Sequence, residues 1–405
     1  MSNKIALKRT LSLPMLVLYG LGVTIGAGIY ALIGEVASVA GYFAPISFLI
    51  ASLMAGFTAI SFAELCARFP QAAGAALYVK QGFSSEYFST IVGLLVITAG
   101  LVSAAALVNG FVGYLHQFID LERTIAIVLV TLVLGIIAVW GIAESVTIAS
   151  LITVISIGGL LLVVVVSGEA LSTFSVRWTE LIPPIDLTSW HGIYLGAILS
   201  FYAYIGFEDM VDVAEEVNEV KRNLPLAILL TLGVTTLIYM LIMVTAVLTL
   251  SPAELASSEA PLAQIYEHHT GEKAVIIIII GMFSIINGAL IQMIMASRVL
   301  YGLSSRGQLP DFLGVVHHRT RTPHFATAVA TVIVLIIALL GSLASLAEAT
   351  SVIMLTIFSI VNLALWRIKR RAPNPVDVRT FPIWIPIIGF FVSFAFVLSE
   401  IISLI

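Results

Sequence analysis

Long apolar stretches separated by short polar connections run along the whole chain. A helix needs about 20 apolar residues to cross the hydrocarbon core of a bilayer. Windows of that size predict eleven spans, at 11–35, 41–67, 85–117, 124–141, 146–167, 191–214, 226–250, 274–303, 325–342, 346–367 and 383–404. The connections leave no room for a soluble domain, so residues 1–405 read as one membrane body. No cleavable signal peptide is expected, because the first apolar stretch continues as a full span.

Two spans are interrupted. GVTIGAGIY, Gly22 to Tyr30, puts a glycine-broken stretch in the middle of the first, and YAYIGFED, Tyr202 to Asp209, does the same in the sixth. Inside lipid every main-chain N–H and C=O needs a partner, so a break is tolerated only where protein or a watery cavity supplies one. The spans form two blocks of five, 11–167 and 191–367, with 383–404 outside them. An odd number of spans inverts the second block relative to the first. Each block opens with its interrupted span, and such matched breaks point to a midplane binding site of a secondary transporter. Glycines that merely allow close helix packing are the plainer alternative, which two breaks in register weaken.

Composition supports the membrane reading: 60% of residues are apolar and 10% are charged. With the N-terminus cytoplasmic, sixteen of the nineteen Lys and Arg residues lie inside, leaving only Arg123, Arg177 and Lys273 outside. The C-terminus is then expected outside, in a multi-pass protein of the plasma or inner membrane. The single cysteine, Cys66, excludes an intramolecular disulfide. No G-x-x-x-x-G-K-[ST] string is present, which disfavours an ATP-driven mechanism. An enzyme is not expected either, since the spans hold few acids and no histidine deep within them to accompany those acids. His268-His269 and His317-His318 are adjacent loop pairs without metal spacing, so no metal is expected there. Glu64 and Arg68, one turn apart, read as a surface ion pair.

Five strings in order carry a family resemblance. GVTIGAGIY resembles GxxIGAGIF, and SFAELCARFPQAAGAALYV resembles YAEL followed by P-x-x-G-S-A-Y. FYAYIGFED with AEEVNEVKRNLP resembles FFAYIGFD with EEVKNPKRNIP, SRVLYGLSSRGQLP resembles SRxLYAMARDGxLP, and RTPHFA follows. These strings are those of the amino acid–polyamine–organocation superfamily, and of its amino acid permeases in particular. The resemblance implies an all-α integral membrane protein with a five-plus-five inverted repeat (APC/LeuT-type), eleven transmembrane helices here, and helices 1 and 6 discontinuous. It implies alternating access, spans 1, 2, 6 and 7 moving against spans 3, 4, 8 and 9. Two departures stand out. Most members have twelve spans, and Ser156 stands where many proton-coupled members have a lysine.

For a zwitterionic amino acid, a broken helix offers both ends of what is needed. Free N–H groups of Gly26, Ala27 and Gly28, at the positive end of a half-helix, are expected to hold the carboxylate. Carbonyls of Tyr202, Ala203 and Ile205, helped by Gly22 and Ile25, are expected to accept from the ammonium. Span three, ITAGLVSAAALVNG, is small and apolar, which points to a neutral, apolar amino acid. A polyamine or cationic amino acid is the alternative substrate, and a membrane amino acid sensor the alternative function. Tyr202 and Phe207 are candidates for gating, and Glu208 for closure coupled to protonation; ordinary packing for Phe207 and a capping acid for Glu208 are the plainer readings. Ser156, Ser284 and Asn287 with the Gly22 and Ile25 carbonyls form a candidate cation site, against which stands a serine bonded to its own helix. The coupling ion is H+ or Na+, with exchange without an ion also open, and no cofactor is expected. The expected partners are the amino acid and the bilayer, without nucleic acid, in a monomer or weak homodimer.

Overall fold

The structure, a computed structural model, describes residues 10–25, 28–71, 74–140, 146–305, 307, 309–317, 320 and 322–403. Seventeen α-helices lie among them, together with one isolated β-bridge between Leu11 and Val217. Helices α1 (Leu13–Ile25) and α2 (Gly28–Ala40) share the first predicted window, and α3 (Ala44–Arg68) fills the second. A connecting helix, α4 (Gly74–Phe83), leads to α5 (Glu86–Leu115), α6 (Arg123–Trp140) and α7 (Val146–Val166). Short α8 (Gly168–Ser172) and α9 (Phe174–Arg177) precede α10 (Leu187–Tyr204), which is followed by a 3-10 segment, Phe207–Glu216. The chain continues through α11 (Val220–Thr249), α12 (Pro252–Ala256), α13 (Pro261–Thr270), α14 (Val275–Ser305), α15 (His324–Leu340), α16 (Leu343–Arg371) and α17 (Trp384–Ser403).

Helices fall in all eleven windows, and seven stretches are long and apolar enough by themselves to cross a membrane. The helices α4, α8, α9, α12 and α13 lie between windows and lack a long apolar run, so hydropathy alone does not predict them. Local chemistry explains where several helices begin. Ser85 accepts the Phe88 N–H to cap α5, and Ser251 and Glu254 form a reciprocal capping box on α12. Asp186 accepts the Ser189 N–H at 2.8 Å to cap α10, which holds its carboxyl below the usual carboxylate range.

Packing brings the first four spans against their counterparts five spans later. Helix α3 lies on α11, α5 on α14, α6 on α15, and α2 on α10. The outer faces keep large apolar side chains exposed, among them Leu53, Val165, Leu237 and Leu340. Such surface is favourable against lipid and costly against water. This is the all-α, five-plus-five arrangement of a multi-pass membrane protein, with its first and sixth spans discontinuous.

Polar clusters tie helix ends together on opposite faces. At one face His116, after α5, bonds Glu259 at 3.0 Å, and Arg123, opening α6, reaches the same carboxylate at 3.5 Å. At the other face the expected surface pair of Glu64 and Arg68 proves to be buried. The Glu64 carboxylate is fully enclosed and receives Arg68 at 2.7 Å, Lys369 of α16 at 2.6 Å and the Phe381 N–H at 2.9 Å. The helical spacing reveals only the Arg68 partner; Lys369 and the chain entering α17 close over the pair from a distant part of the sequence.

Candidate functional site

The second break is built from three consecutive residues. Helix α10 stops at Tyr204 because Ile205 is extended, with φ −64° and ψ 138°, and Gly206 takes φ +125°. That region is closed to side chains with a Cβ, so glycine is required. The Gly206 N–H, which would otherwise continue the α-helix, donates to Glu208 Oε2 at 2.9 Å. Tyr202 C=O accepts the Ile205 N–H at 3.2 Å. Beyond lies a ten-residue 3-10 segment, far longer than such helices usually run, and such stretches often mark a hinge. In the first span α1 ends at Ile25 and α2 begins at Gly28; Gly26 and Ala27, two of the expected carboxylate ligands, lie outside the described residues.

The two breaks touch. A Cβ added to Gly28 would fall 2.6 Å from Ala203 Cα, and one added to Gly206 would fall 2.9 Å from Val23 Cγ1 and 3.0 Å from the Val23 carbonyl. Each glycine therefore lets main chain from one break lie against the other. A third contact joins them: the Tyr239 hydroxyl, from α11, lies 2.8 Å from Thr24 C=O and 3.0 Å from Ala203 C=O. One hydroxyl proton thus serves a carbonyl in each broken span.

A small cavity opens beside this crossing. Gly22, Val23, Thr24 and Gly28 form its wall from the first span, Tyr202 and Ile205 from the sixth, Ser103 and Leu107 from α5, and Gly288, Ile291 and Gln292 from α14. The Tyr202 hydroxyl bonds Ser103 Oγ at 3.0 Å. A neighbouring, still smaller cavity shares Gly22, Val23 and Ile291 and adds Tyr19, Ile152, Thr153, Ser156, Ser284 and Asn287. In it Ser156 Oγ donates to Ile152 C=O at 2.9 Å and meets Ser284 Oγ at 2.5 Å. The Tyr30 hydroxyl covers the Ser156 carbonyl at 2.7 Å.

Of the residues named from sequence, Gly22, Gly28, Tyr202 and Ile205 converge on the larger cavity, and Gly22, Ser156, Ser284 and Asn287 on the smaller. Ile25 lines neither cavity. Ala203 is packed beneath Gly28 with its carbonyl engaged by Tyr239, so Ile205 is the carbonyl of the three with no hydrogen bond among the described residues. Phe207 also stays off the cavity: its fully buried ring packs on Phe62 and Phe358, at 6.0 and 5.4 Å between centroids. Glu208 spends one oxygen on capping the break it follows. Tyr239, Ser103 and Gln292 are additions from the structure. The trace Gln292 left in the sequence is a second amide, five residues after Asn287, in one apolar span.

Residues 11–404 match the sequence profile of the amino acid permease family. A vacuolar cationic amino acid transporter of Arabidopsis thaliana is 29% identical over 91% of this chain. A branched-chain amino acid permease of Bacillus subtilis is 25% identical over 92% of this chain and 83% of its own length. The chain spans only 61 to 65% of the length of three plant cationic amino acid transporters that it matches. In three dimensions a manganese transporter of Eremococcus coleocola superposes with a TM-score of 0.66, over all of this chain and 90% of that one, at 14% identity. That likeness speaks for the fold alone. With two broken spans crossing at a cavity and a family profile matched from end to end, the chain belongs to the amino acid permease family.

Proposed function

We propose that this protein is a secondary transporter that moves a neutral amino acid across the plasma or inner membrane by alternating access. The observation that carries the reading is the crossing of the two breaks at the wall of one cavity, where main-chain groups freed from their helices meet. The N-terminal end of α2, at Gly28 with Gly26 and Ala27 before it, holds the carboxylate, because free N–H groups and the helix dipole both favour an anion. The Ile205 carbonyl accepts from the ammonium, with Tyr202 and Gly22 beside it. Fixed dipoles bind a zwitterion without the cost of burying charged side chains.

Eleven spans, a cytoplasmic N-terminus and an outer C-terminus complete the proposal, with 11–167 and 191–367 as the repeats. Sodium is the coupling ion favoured by the smaller cavity. Its oxygens, from Ser156, Ser284, Thr153 and Asn287, suit a hard cation, and Tyr19 is the one ionisable side chain among its described residues. A cationic amino acid, suggested by the names of the plant relatives, is the second reading. Against it, no carboxylate is among the described residues lining the larger cavity. Counterflow in liposomes tests the whole proposal. Trapped unlabelled amino acid should accelerate entry of labelled amino acid, and binding without flux would make the protein a sensor instead.

A further inference from the structure

One polar side chain on the wall of the larger cavity has no hydrogen-bond partner among the described residues. Gln292, on α14, is 9% exposed and forms part of the wall. Among the described residues its amide makes no hydrogen bond. An amide that opens onto a cavity is met by water until a ligand group replaces it, so a polar group that enters can satisfy it. Ser103 and Tyr202 add two hydroxyls to the same wall, bonded to each other at 3.0 Å. Gly100, one turn before Ser103 on α5, explains how the amide fits. A Cβ there would lie 3.2 Å from Gln292 Oε1, so the missing side chain on α5 admits the polar group of α14. The small, apolar character of span three thereby makes room for a polar contact.

We propose that Gln292, with Ser103 and Tyr202, selects a neutral amino acid whose short side chain carries a hydroxyl or a carboxamide. This deepens, and rests on, the reading of the cavity as the amino acid site. An amide both donates and accepts, so it can serve either group. An apolar side chain of the same shape leaves Gln292 unpaired. A cationic side chain enters with no carboxylate among the described residues of the cavity wall to meet it.

Threonine and valine differ by a hydroxyl in place of a methyl and so isolate the effect. Counterflow with the full chain in liposomes should give threonine a kcat/KM about tenfold above that of valine, roughly the effect of one hydrogen bond plus the unmet partner. Gln292→Met, of similar volume, should bring that ratio close to one. Should the variant fail to fold, the wild-type ratios of threonine to valine and asparagine to leucine decide by themselves. Exchange that proceeds with threonine and valine equivalent, or with arginine preferred, overturns the specificity proposal and leaves the transporter reading standing. If no amino acid is exchanged or bound, the cavity is not an amino acid site and both fall.

Discussion

Gly206 combines a left-handed φ of +125° with a Cβ position 2.9 Å from Val23 Cγ1, so any side chain there meets both backbone strain and a clash. Strain of this type costs about 1–3 kcal/mol before the steric term is added. Gly206→Ala is therefore expected to abolish amino acid uptake while leaving much of the helix content, as read by circular dichroism with a flux assay. Unchanged uptake would mean that the two spans need not touch. Tyr239→Phe removes a hydroxyl and little volume. The loss of its bridge should weaken amino acid binding about tenfold, the scale of one or two hydrogen bonds, as measured by ligand-dependent thermal stabilisation. At this scale the sequence was partly legible. Glycine strings marked both breaks: only glycine reaches the φ of Gly206, and only glycine at position 28 leaves room for Ala203. Tyr239 left no such mark, since its partners are 215 and 36 residues away and it sits in an ordinary apolar run. Nor did the sequence show that the Ala203 carbonyl, expected to accept from the ammonium, already accepts from a side chain of another helix.

Among the helices, α3, α16 and the chain entering α17 are joined by one carboxylate. Glu64 faces two nearly buried cations, Arg68 and Lys369, whose side chains are 3% and 6% exposed. Lys369 also donates to the Phe381 carbonyl at 2.6 Å, and Arg68 to that of Ala372 at 2.8 Å. Removing the charge in Glu64→Gln leaves both cations uncompensated and should destabilise the protein by about 3–5 kcal/mol. The double variant with Lys369→Met should lose less than the two single losses added together, because one group answers to the other. Thermal unfolding in detergent measures both, and strictly additive losses would argue against a coupled network. Spacing along α3 told only that Glu64 and Arg68 share a face. The depth of the pair depends on α16, and the Lys/Arg rule reads Lys369 simply as an inner-loop cation.

For the molecule as a whole, periodicity and length located helices in every spanning window, because lipid forces apolar residues into runs of about 20. The pairing of α3 with α11, α5 with α14 and α6 with α15 follows the division into blocks of five that charge placement and the matched breaks suggested. The short helices between windows lay outside that signal, being set by caps and tertiary contact. Ion coupling belongs to this scale, since it links the smaller cavity to movement of the larger one. With sodium replaced by choline at constant pH, uptake is expected to fall at least about tenfold, the range of an ordinary coupling energy between two sites. Ser156→Ala should raise the sodium concentration needed for half-maximal uptake. Uptake indifferent to sodium would point to proton coupling or plain exchange.

A structure of the full chain loaded with a transported amino acid bears most directly on the crossing of the two breaks. Density for the carboxylate should lie at the start of α2 beside Gly28, with the ammonium at the Ile205 carbonyl and the side chain directed towards Gln292. An amino acid bound away from this cavity, or with its carboxylate against α14, would contradict the assignment.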